Sequence, residues 1–242
     1  MDYAAAAQAA PAGWRRFDIE DLYRLPASVA RRALMTVPSE ERRRVQSGDA
    51  DARERMRRAL FWTFVYHLEA ARWDELARAE PIHPDLLAEL PSRVESAVDL
   101  GAGTGRLTAH LVTRSRRVVA VEPALGMARL LRANVPDAMT LSAWAEALPI
   151  TSGWSELTVA CGAFGPDPAI LGEMERITRD GGFIALISPE LPETFEAMGW
   201  RRLSMPPPTV PPHEQWIDDF FGPPDPPHEI VIKRRHLQEA AR

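Results

Sequence analysis

Three glycines in one short segment have the spacing that best suits ligand binding. Residues 98–105 read Val-Asp-Leu-Gly-Ala-Gly-Thr-Gly, so an apolar run ends in a G-x-G-x-G turn. Gly101 permits a tight turn, Gly103 lets a ligand approach the backbone, and Gly105 lets a helix pack closely. The pattern alone is weak evidence. A predicted strand before it and a predicted helix after it give the context in which such turns bind nucleotides.

Glu122 is a second residue with a position typical of nucleotide binding. It follows the next apolar run, residues 118–121. An acid at this place accepts hydrogen bonds from the ribose hydroxyls in nucleotide-binding α/β folds. A surface glutamate at a strand end is the alternative interpretation, and the glycine turn upstream favours the ribose site.

Asp99 distinguishes between two kinds of nucleotide ligand. The dinucleotide fingerprint, G-x-G-x-x-G, has its third glycine one residue later and places a pyrophosphate at a helix N-terminus. Asp99 lies two residues before the first glycine, where its charge would repel a pyrophosphate. A carboxylate there suits a cationic amino group instead, held directly or through water.

Residues 98–105 together with Glu122 resemble motifs I and II of class I S-adenosylmethionine-dependent methyltransferases. Further similarity covers about residues 68–200, in the segments 73–76, 83–87, 123–127, 145–149, 157–164 and 174–182. The resemblance implies S-adenosyl-L-methionine as the cofactor. The cofactor-binding residues that it implies are Asp99, Gly101, Ala102, Gly103, Gly105, Glu122, Pro123, Met127, Trp144, Ala145, Glu146 and Cys161.

Two positions depart from the family pattern. Trp144 stands where many members have an aspartate that binds the adenine amino group. Its ring is expected either to stack on the adenine or to belong to the core. Asp180 replaces the usual proline of the turn before the fifth strand, which we expect to be harmless.

Subclass signatures of the family narrow the chemistry. Residues 161–164 read Cys-Gly-Ala-Phe, unlike the N/D-P-P-Y/W motif of amino-group methylases of DNA or glutamine. Lys233 is the only lysine, so the Lys-Asp-Lys-Glu set of ribose methylases is excluded. Catechol-type members of the family hold magnesium with two aspartates and one asparagine. Asn134 is the only asparagine of this sequence and lies in a helix pattern, so we predict no metal. Cys161 lacks the preceding proline of cytosine-C5 methylases and is interpreted as a small residue at a strand end.

Three histidines are candidates for a general base. His67 ends the most aromatic stretch of the chain, residues 61–67. His213 lies on a proline-rich insertion that would act as a lid over the site. We predict His67 and His213 as catalytic residues, with solvated side chains as the alternative. His83 is the third candidate.

The elements that must position these residues follow from hydrophobic periodicity. Residues up to about 90 have a helical pattern, with a long helix over 49–79, and strands and helices alternate from residue 96. We predict a helical N-terminal extension, residues 1–90, and a core, residues 91–242, with a proline-rich insertion at 206–227. The predicted fold is a doubly wound, mostly parallel seven-stranded sheet of the Rossmann-like methyltransferase type.

Composition sets limits on partners and location. The chain has 242 residues and one cysteine. Its net charge of -5 gives no general electrostatic attraction to nucleic acid or to an anionic membrane. Residues 1–60 nevertheless carry an excess of arginine over acids. The first residues lack a signal-peptide pattern, so we expect a cytoplasmic protein.

Three functions stay open at this point. The first is methyl transfer to an oxygen or nitrogen atom of a small molecule, without nucleic-acid or membrane partners. The second is methylation of RNA or protein, docked through the arginine-bearing N-terminus. The third is a non-catalytic module that binds the cofactor and a partner. The oligomeric state is left undetermined.

Overall fold

The structure is a computed structural model that describes residues 3–236. The described helices are α1 (Tyr3–Ala9), α2 (Ala27–Thr36), α3 (Ser39–Gln46), α4 (Ala50–Leu68), α5 (Ala70–Ala79), α6 (Pro84–Glu89), α7 (Thr108–Leu111), α8 (Leu125–Asn134), α9 (Pro168–Ile177), α10 (Pro192–Ala197) and α11 (Gln215–Phe221). The described strands are β1 (Val94–Leu100), β2 (Ser115–Val121), β3 (Met139–Leu141), β4 (Ser155–Cys161), β5 (Thr178–Ile187), β6 (Arg201–Ser204) and β7 (Glu229–Arg234). Short 3-10 helices cover Ala12–Arg16 and Ile19–Arg24.

By packing, the chain divides into two units. Among the described residues, one consists of residues 3–76 together with Pro212–Pro224, and the other consists of Ala77–Pro211 together with residues 225–236. The functional boundary predicted at residue 90 stays a prediction. The outer limits of the predicted domains, residues 1 and 242, lie outside the described residues.

The first unit is a helical cluster around α4. Asp49 caps this helix by accepting a hydrogen bond from the backbone N–H of Ala52 at 2.9 Å. The long helix predicted over 49–79 is instead two helices, because Glu69 leaves the helical conformation and its carbonyl accepts from Trp73 at 3.1 Å. The apolar spacing continues across this break, so periodicity alone does not reveal it.

Aromatic rings fill the core of the first unit. Phe61 and Phe64 of α4 are fully buried, and Phe17 stacks on Phe64 with ring centroids 5.1 Å apart. Phe220 of α11 lies 5.6 Å from Phe61. The helix inside the proline-rich insertion is therefore part of this core.

The second unit contains one seven-stranded sheet in the order β3-β2-β1-β4-β5-β7-β6. Strands β1 to β5 are parallel, and β7 lies antiparallel between β5 and β6. The predicted doubly wound, mostly parallel sheet is confirmed. The chain reverses its direction of winding between β1 and β4, which is the place where such sheets bind ligands at the carboxyl ends of their strands.

Both faces of this sheet are buried. In β2, Val118 and Ala120 belong to one apolar cluster, and Val119 and Val121 belong to the other. Such strands have near-continuous apolar sequences because side chains on each face meet a covering layer. In the part of the chain that the structure describes, we find no helix with the length and apolar character to cross a membrane.

Candidate functional site

The glycine turn between β1 and α7 has a backbone that favours glycine. Gly101, Gly103 and Gly105 have φ values of 65°, 57° and 105°. A Cβ on Gly101 would lie 2.8 Å from the Cβ of Ala163, and a Cβ on Gly105 would lie 2.8 Å from Val135 Cγ2. Gly105 therefore permits close packing, as predicted, and the element that approaches it is the end of α8.

Glu122 holds the turn from the end of β2. Its Oε2 accepts a hydrogen bond from the Gly103 N–H at 2.8 Å, and its Oε1 accepts one from the Ala124 N–H at 2.7 Å. The Ala102 N–H donates to the carbonyl of Val121 at 3.0 Å. Each carboxylate oxygen keeps a second acceptor position, so both remain able to receive a ligand hydroxyl.

The carboxyl group of Glu122 is buried in this position. Burial raises its pKa to about 7, although the N–H groups of Ala124 and Gly103 oppose the shift. A buried acid is stabilised by added hydrogen-bond donors, which favour its charged form. Ligand hydroxyls would supply such donors.

Asp99 lies inside β1, two residues before the turn, and is 1% exposed. Its Oδ2 accepts a hydrogen bond from the Thr108 hydroxyl at 2.6 Å. Its Oδ1 is buried and has no hydrogen-bond partner among the described residues. Burial raises the pKa of Asp99 to about 7, Thr108 opposes the shift, and Glu122 adds to it. An unpaired buried carboxyl oxygen is costly, so the site favours a donor or a cation at Oδ1.

The predicted adenine-side residues lie on α8 and on the loop after β3. Pro123 is half-buried just before α8, and Met127 is 2% exposed within it. In the loop, Ala145 is buried, Glu146 is half-buried and Trp144 is 37% exposed. The exposure of Trp144 argues against a core position, and its role at the adenine stays a prediction.

Two residues of α9 pin the same loop. Glu173 accepts a hydrogen bond from the Leu148 N–H at 2.7 Å. Arg176 donates to the carbonyls of Leu148 at 2.9 Å and Ile150 at 2.7 Å. The loop after β3 is thus held although it contains no regular structure.

Cys161 ends β4 beside a part-buried ion pair that the sequence did not reveal. Arg106 donates to Glu80 Oε2 at 3.0 Å and to Cys161 Sγ at 3.6 Å. Burial raises the pKa of the Cys161 thiol, and Arg106 only partly opposes this. The thiol is therefore protonated at neutral pH and is a poor nucleophile, which agrees with its interpretation as a small residue. The only sequence feature that pointed to this ion pair was the position of Arg106 directly after the glycine turn.

The two predicted catalytic histidines belong to the helical unit. Burial lowers the pKa of His67, which lies in the last turn of α4. His213 Nε2 lies 3.0 Å from Asp218 Oδ1. The third candidate, His83, caps α6 by accepting from the Asp85 N–H through Nδ1 at 3.2 Å. All predicted cofactor residues lie in the sheet unit, so the roles of His67 and His213 stay predictions.

These residues together make a site with a defined chemistry. Glu122 presents two acceptor oxygens beside the glycine turn. Asp99 presents one unpaired oxygen from β1, the strand that pairs with β2. The set fits a ligand that combines vicinal hydroxyls with a cationic amino group. In the described part of the chain, no group of three or more metal-ligating side chains is assembled.

Comparison with known proteins finds similarity to methyltransferases over the segment that contains this site. Residues 97–182 match the family described as Methyltransferase domain. An uncharacterized methyltransferase of Mycobacterium tuberculosis is 35% identical over 129 residues, which are 52% of this chain and 52% of that protein. The ribosomal RNA small subunit methyltransferase A of Anaeromyxobacter dehalogenans is 42% identical over 79 residues, covering 31% and 28% of the two chains. The chain spans about half the length of the first of these relatives.

One solved structure supports the fold. A chain in the complex between the Haloferax volcanii Trm112 methyltransferase activator and a methyltransferase aligns with a TM-score of 0.50 and 18% identity. The alignment covers 69% of this chain and 93% of that chain. At this identity the likeness concerns the fold alone.

Proposed function

We propose that the protein transfers a methyl group from S-adenosyl-L-methionine to an oxygen or nitrogen atom of a small-molecule acceptor, since residues 97–182 match the family described as Methyltransferase domain. The observation that carries the proposal is the pair of buried carboxyl groups, Glu122 and Asp99, on either side of the glycine turn.

The residues present fit this cofactor at three of its groups. Glu122 would accept from the ribose hydroxyls through the free acceptor positions of its two oxygens. Asp99 Oδ1, which has no partner among the described residues, would accept from the cationic amino group of the methionine part. Trp144 would lie against the adenine through its exposed ring.

Bound S-adenosylmethionine supplies an activated methyl group, so the protein mainly has to hold the acceptor in line with it. A general base is needed only where the methylated atom of the substrate loses a proton. We propose His67 or His213 for that role. The lowered pKa of His67 leaves its imidazole neutral and able to take a proton at pH 7. A general base is inactive when protonated, so it produces the fall in rate at low pH. Loss of this acidic limb in the pH–rate profile of His67→Gln or His213→Gln would identify the residue.

RNA is the second candidate acceptor. The ribosomal RNA methyltransferase relative favours it, although the similarity covers 31% of this chain. The net charge of -5 favours a small molecule, because RNA binding depends on many cationic contacts. RNA retention on a filter that falls steeply between 50 and 200 mM salt would favour the RNA acceptor, and no retention at low salt would exclude it.

Titration calorimetry with S-adenosylmethionine and S-adenosylhomocysteine tests the cofactor site. We expect micromolar binding by the wild type, and losses of about tenfold or more in Glu122→Ala and Gly103→Val, because one removes the ribose acceptor and the other fills the approach to the turn. Glu193→Ala, a change in the first turn of α10, is the control. A folded wild type that binds neither ligand would refute the proposal.

A further inference from the structure

Thr108 and Asp99 form a contact that joins the first residue of α7 to the strand before the glycine turn. The Thr108 hydroxyl donates to Asp99 Oδ2 at 2.6 Å. Thr108 is 0% exposed and Asp99 is 1% exposed, so water does not compete for this hydrogen bond. The backbone N–H of Thr108 also interacts with the Asp99 carboxyl group.

Because of this contact, the two carboxyl oxygens of Asp99 differ in their hydrogen bonding. Oδ2 is satisfied by Thr108, whereas Oδ1 is buried and has no partner among the described residues. A carboxyl group with one tethered oxygen has its rotation about the Cβ–Cγ bond restricted. The free oxygen is therefore held in one direction before any ligand arrives, and such preorganisation strengthens binding.

We propose that Thr108 is a positioning residue for the methionine end of the cofactor, acting through Asp99. The inference rests on the proposed function, since it assigns Asp99 Oδ1 to the cationic amino group. Thr108 touches no part of the ligand in this account. It sets the direction of the Asp99 carboxyl group and keeps its charged form favourable by donating to it.

Two ligands that differ only at the methionine end test this role. S-adenosylhomocysteine has the amino acid portion, whereas 5′-methylthioadenosine keeps the adenosine and thioether but lacks it. Thr108→Val keeps the shape of the side chain and removes the hydroxyl. We expect calorimetry to show a loss of about tenfold for S-adenosylhomocysteine and a change within about twofold for methylthioadenosine.

Two further variants connect the effect to the hydroxyl and to Asp99. Thr108→Ser keeps the donor and should restore binding of S-adenosylhomocysteine to near the wild-type affinity. In a cycle with Asp99→Asn, the losses should not add, because both changes disable the same contact. Thr108→Ala serves the same purpose as Thr108→Val if the valine variant does not fold.

Thr158→Val is the matched control. Thr158 is also a fully buried threonine of the sheet unit, and its hydroxyl shares a 2.7 Å hydrogen bond with the hydroxyl of Thr178. We expect it to leave both affinities unchanged.

Equal losses for both ligands in Thr108→Val would indicate a purely structural role and overturn the inference. Unchanged binding of S-adenosylhomocysteine would also overturn it. Failure of the folded wild type to bind S-adenosylhomocysteine would instead refute the proposed function, and the inference with it.

Discussion

Two carboxyl groups carry the chemistry of this site, and both are held in surroundings that disfavour their charge. Burial raises the pKa of Asp99 and of Glu122 to about 7, and each has a specific partner that opposes the shift. A ligand with donors and a positive charge relieves both. The sequence predicted the two positions. The structure adds that both oxygens of Glu122 already accept one hydrogen bond, whereas only Oδ2 of Asp99 does.

These raised pKa values predict that the ligand-free protein loses stability as the pH rises. In the unfolded chain both carboxyl groups ionise near pH 4, whereas in the folded protein they ionise near pH 7. The folded state therefore binds more protons between these values, so the free energy of unfolding decreases with rising pH in that window. Thermal unfolding from pH 5 to 8 should show a falling Tm.

The Asp99→Asn variant is the comparison for this pH effect. It removes one of the two titrating groups, so its Tm should fall less steeply across the same window. Saturating S-adenosylmethionine should raise the Tm of the wild type more at pH 8 than at pH 6, because its cationic group favours the ionised acids. A wild-type Tm that does not change between pH 5 and 8 would contradict the burial argument.

Gly101 and Gly172 give opposite predictions for the same substitution. Gly101→Ala forces a Cβ to 2.8 Å from Ala163 Cβ at φ 65°, so we expect a loss of about 1–2 kcal/mol in the free energy of unfolding. Gly172 lies inside α9 with no atom within 4 Å of an added Cβ. Gly172→Ala should stabilise the protein by up to about 1 kcal/mol. Urea unfolding of both variants measures the difference, and equal effects would be inconsistent with the turn geometry.

At the scale of elements, α8 supports the glycine turn from the side. Leu131 and Val135 lie against Gly105, and the Asn134 side-chain amide donates to the Thr104 carbonyl at 2.9 Å. Asn134 appeared in the sequence only as the sole asparagine in a helix pattern. Its partner lies 30 residues earlier, so no local pattern reveals the contact.

Asn134→Ala should therefore weaken both the fold and the cofactor site. We expect a loss of about 1 kcal/mol in the free energy of unfolding, because one part-buried hydrogen bond is removed, and weaker binding of S-adenosylhomocysteine. Arg129→Ala, an exposed change on the same helix, is the control. Calorimetric binding equal to the wild type would show that the turn keeps its shape without this support.

At the scale of the whole molecule, the proline-rich insertion contributes to the core of the helical unit. Residues 212–224 pack with residues 3–76, and Phe220 lies in the aromatic cluster beside Phe61. Residues 206–227 were predicted as one insertion on the sheet domain. By packing, their helix α11 belongs to the helical unit, and the predicted division into functional domains stays a prediction.

Phe220→Ala tests whether α11 is a structural part of that unit. We expect a loss of about 3 kcal/mol in the free energy of unfolding, because the ring is 8% exposed and packs among other rings. Met35→Ala, at a side chain 73% exposed in the same unit, should have little effect. Denaturant unfolding followed by tryptophan fluorescence measures both changes. A Phe220→Ala variant as stable as the wild type would show that α11 only rests on the unit.

The sequence by itself determined the strand–turn–helix around Gly101 to Gly105, the acids at Asp99 and Glu122, and the doubly wound sheet. The turn and the individual strands and helices are local features, since glycine conformation and hydrophobic periodicity depend on neighbouring residues. The sheet follows from the alternation of strands and helices along the chain. Only the tertiary structure decided that Thr108 tethers Asp99, that Arg106 pairs with Glu80, and that β7 lies between β5 and β6. Such contacts join segments whose approach depends on how whole elements pack, and short sequence patterns carry no information about that packing.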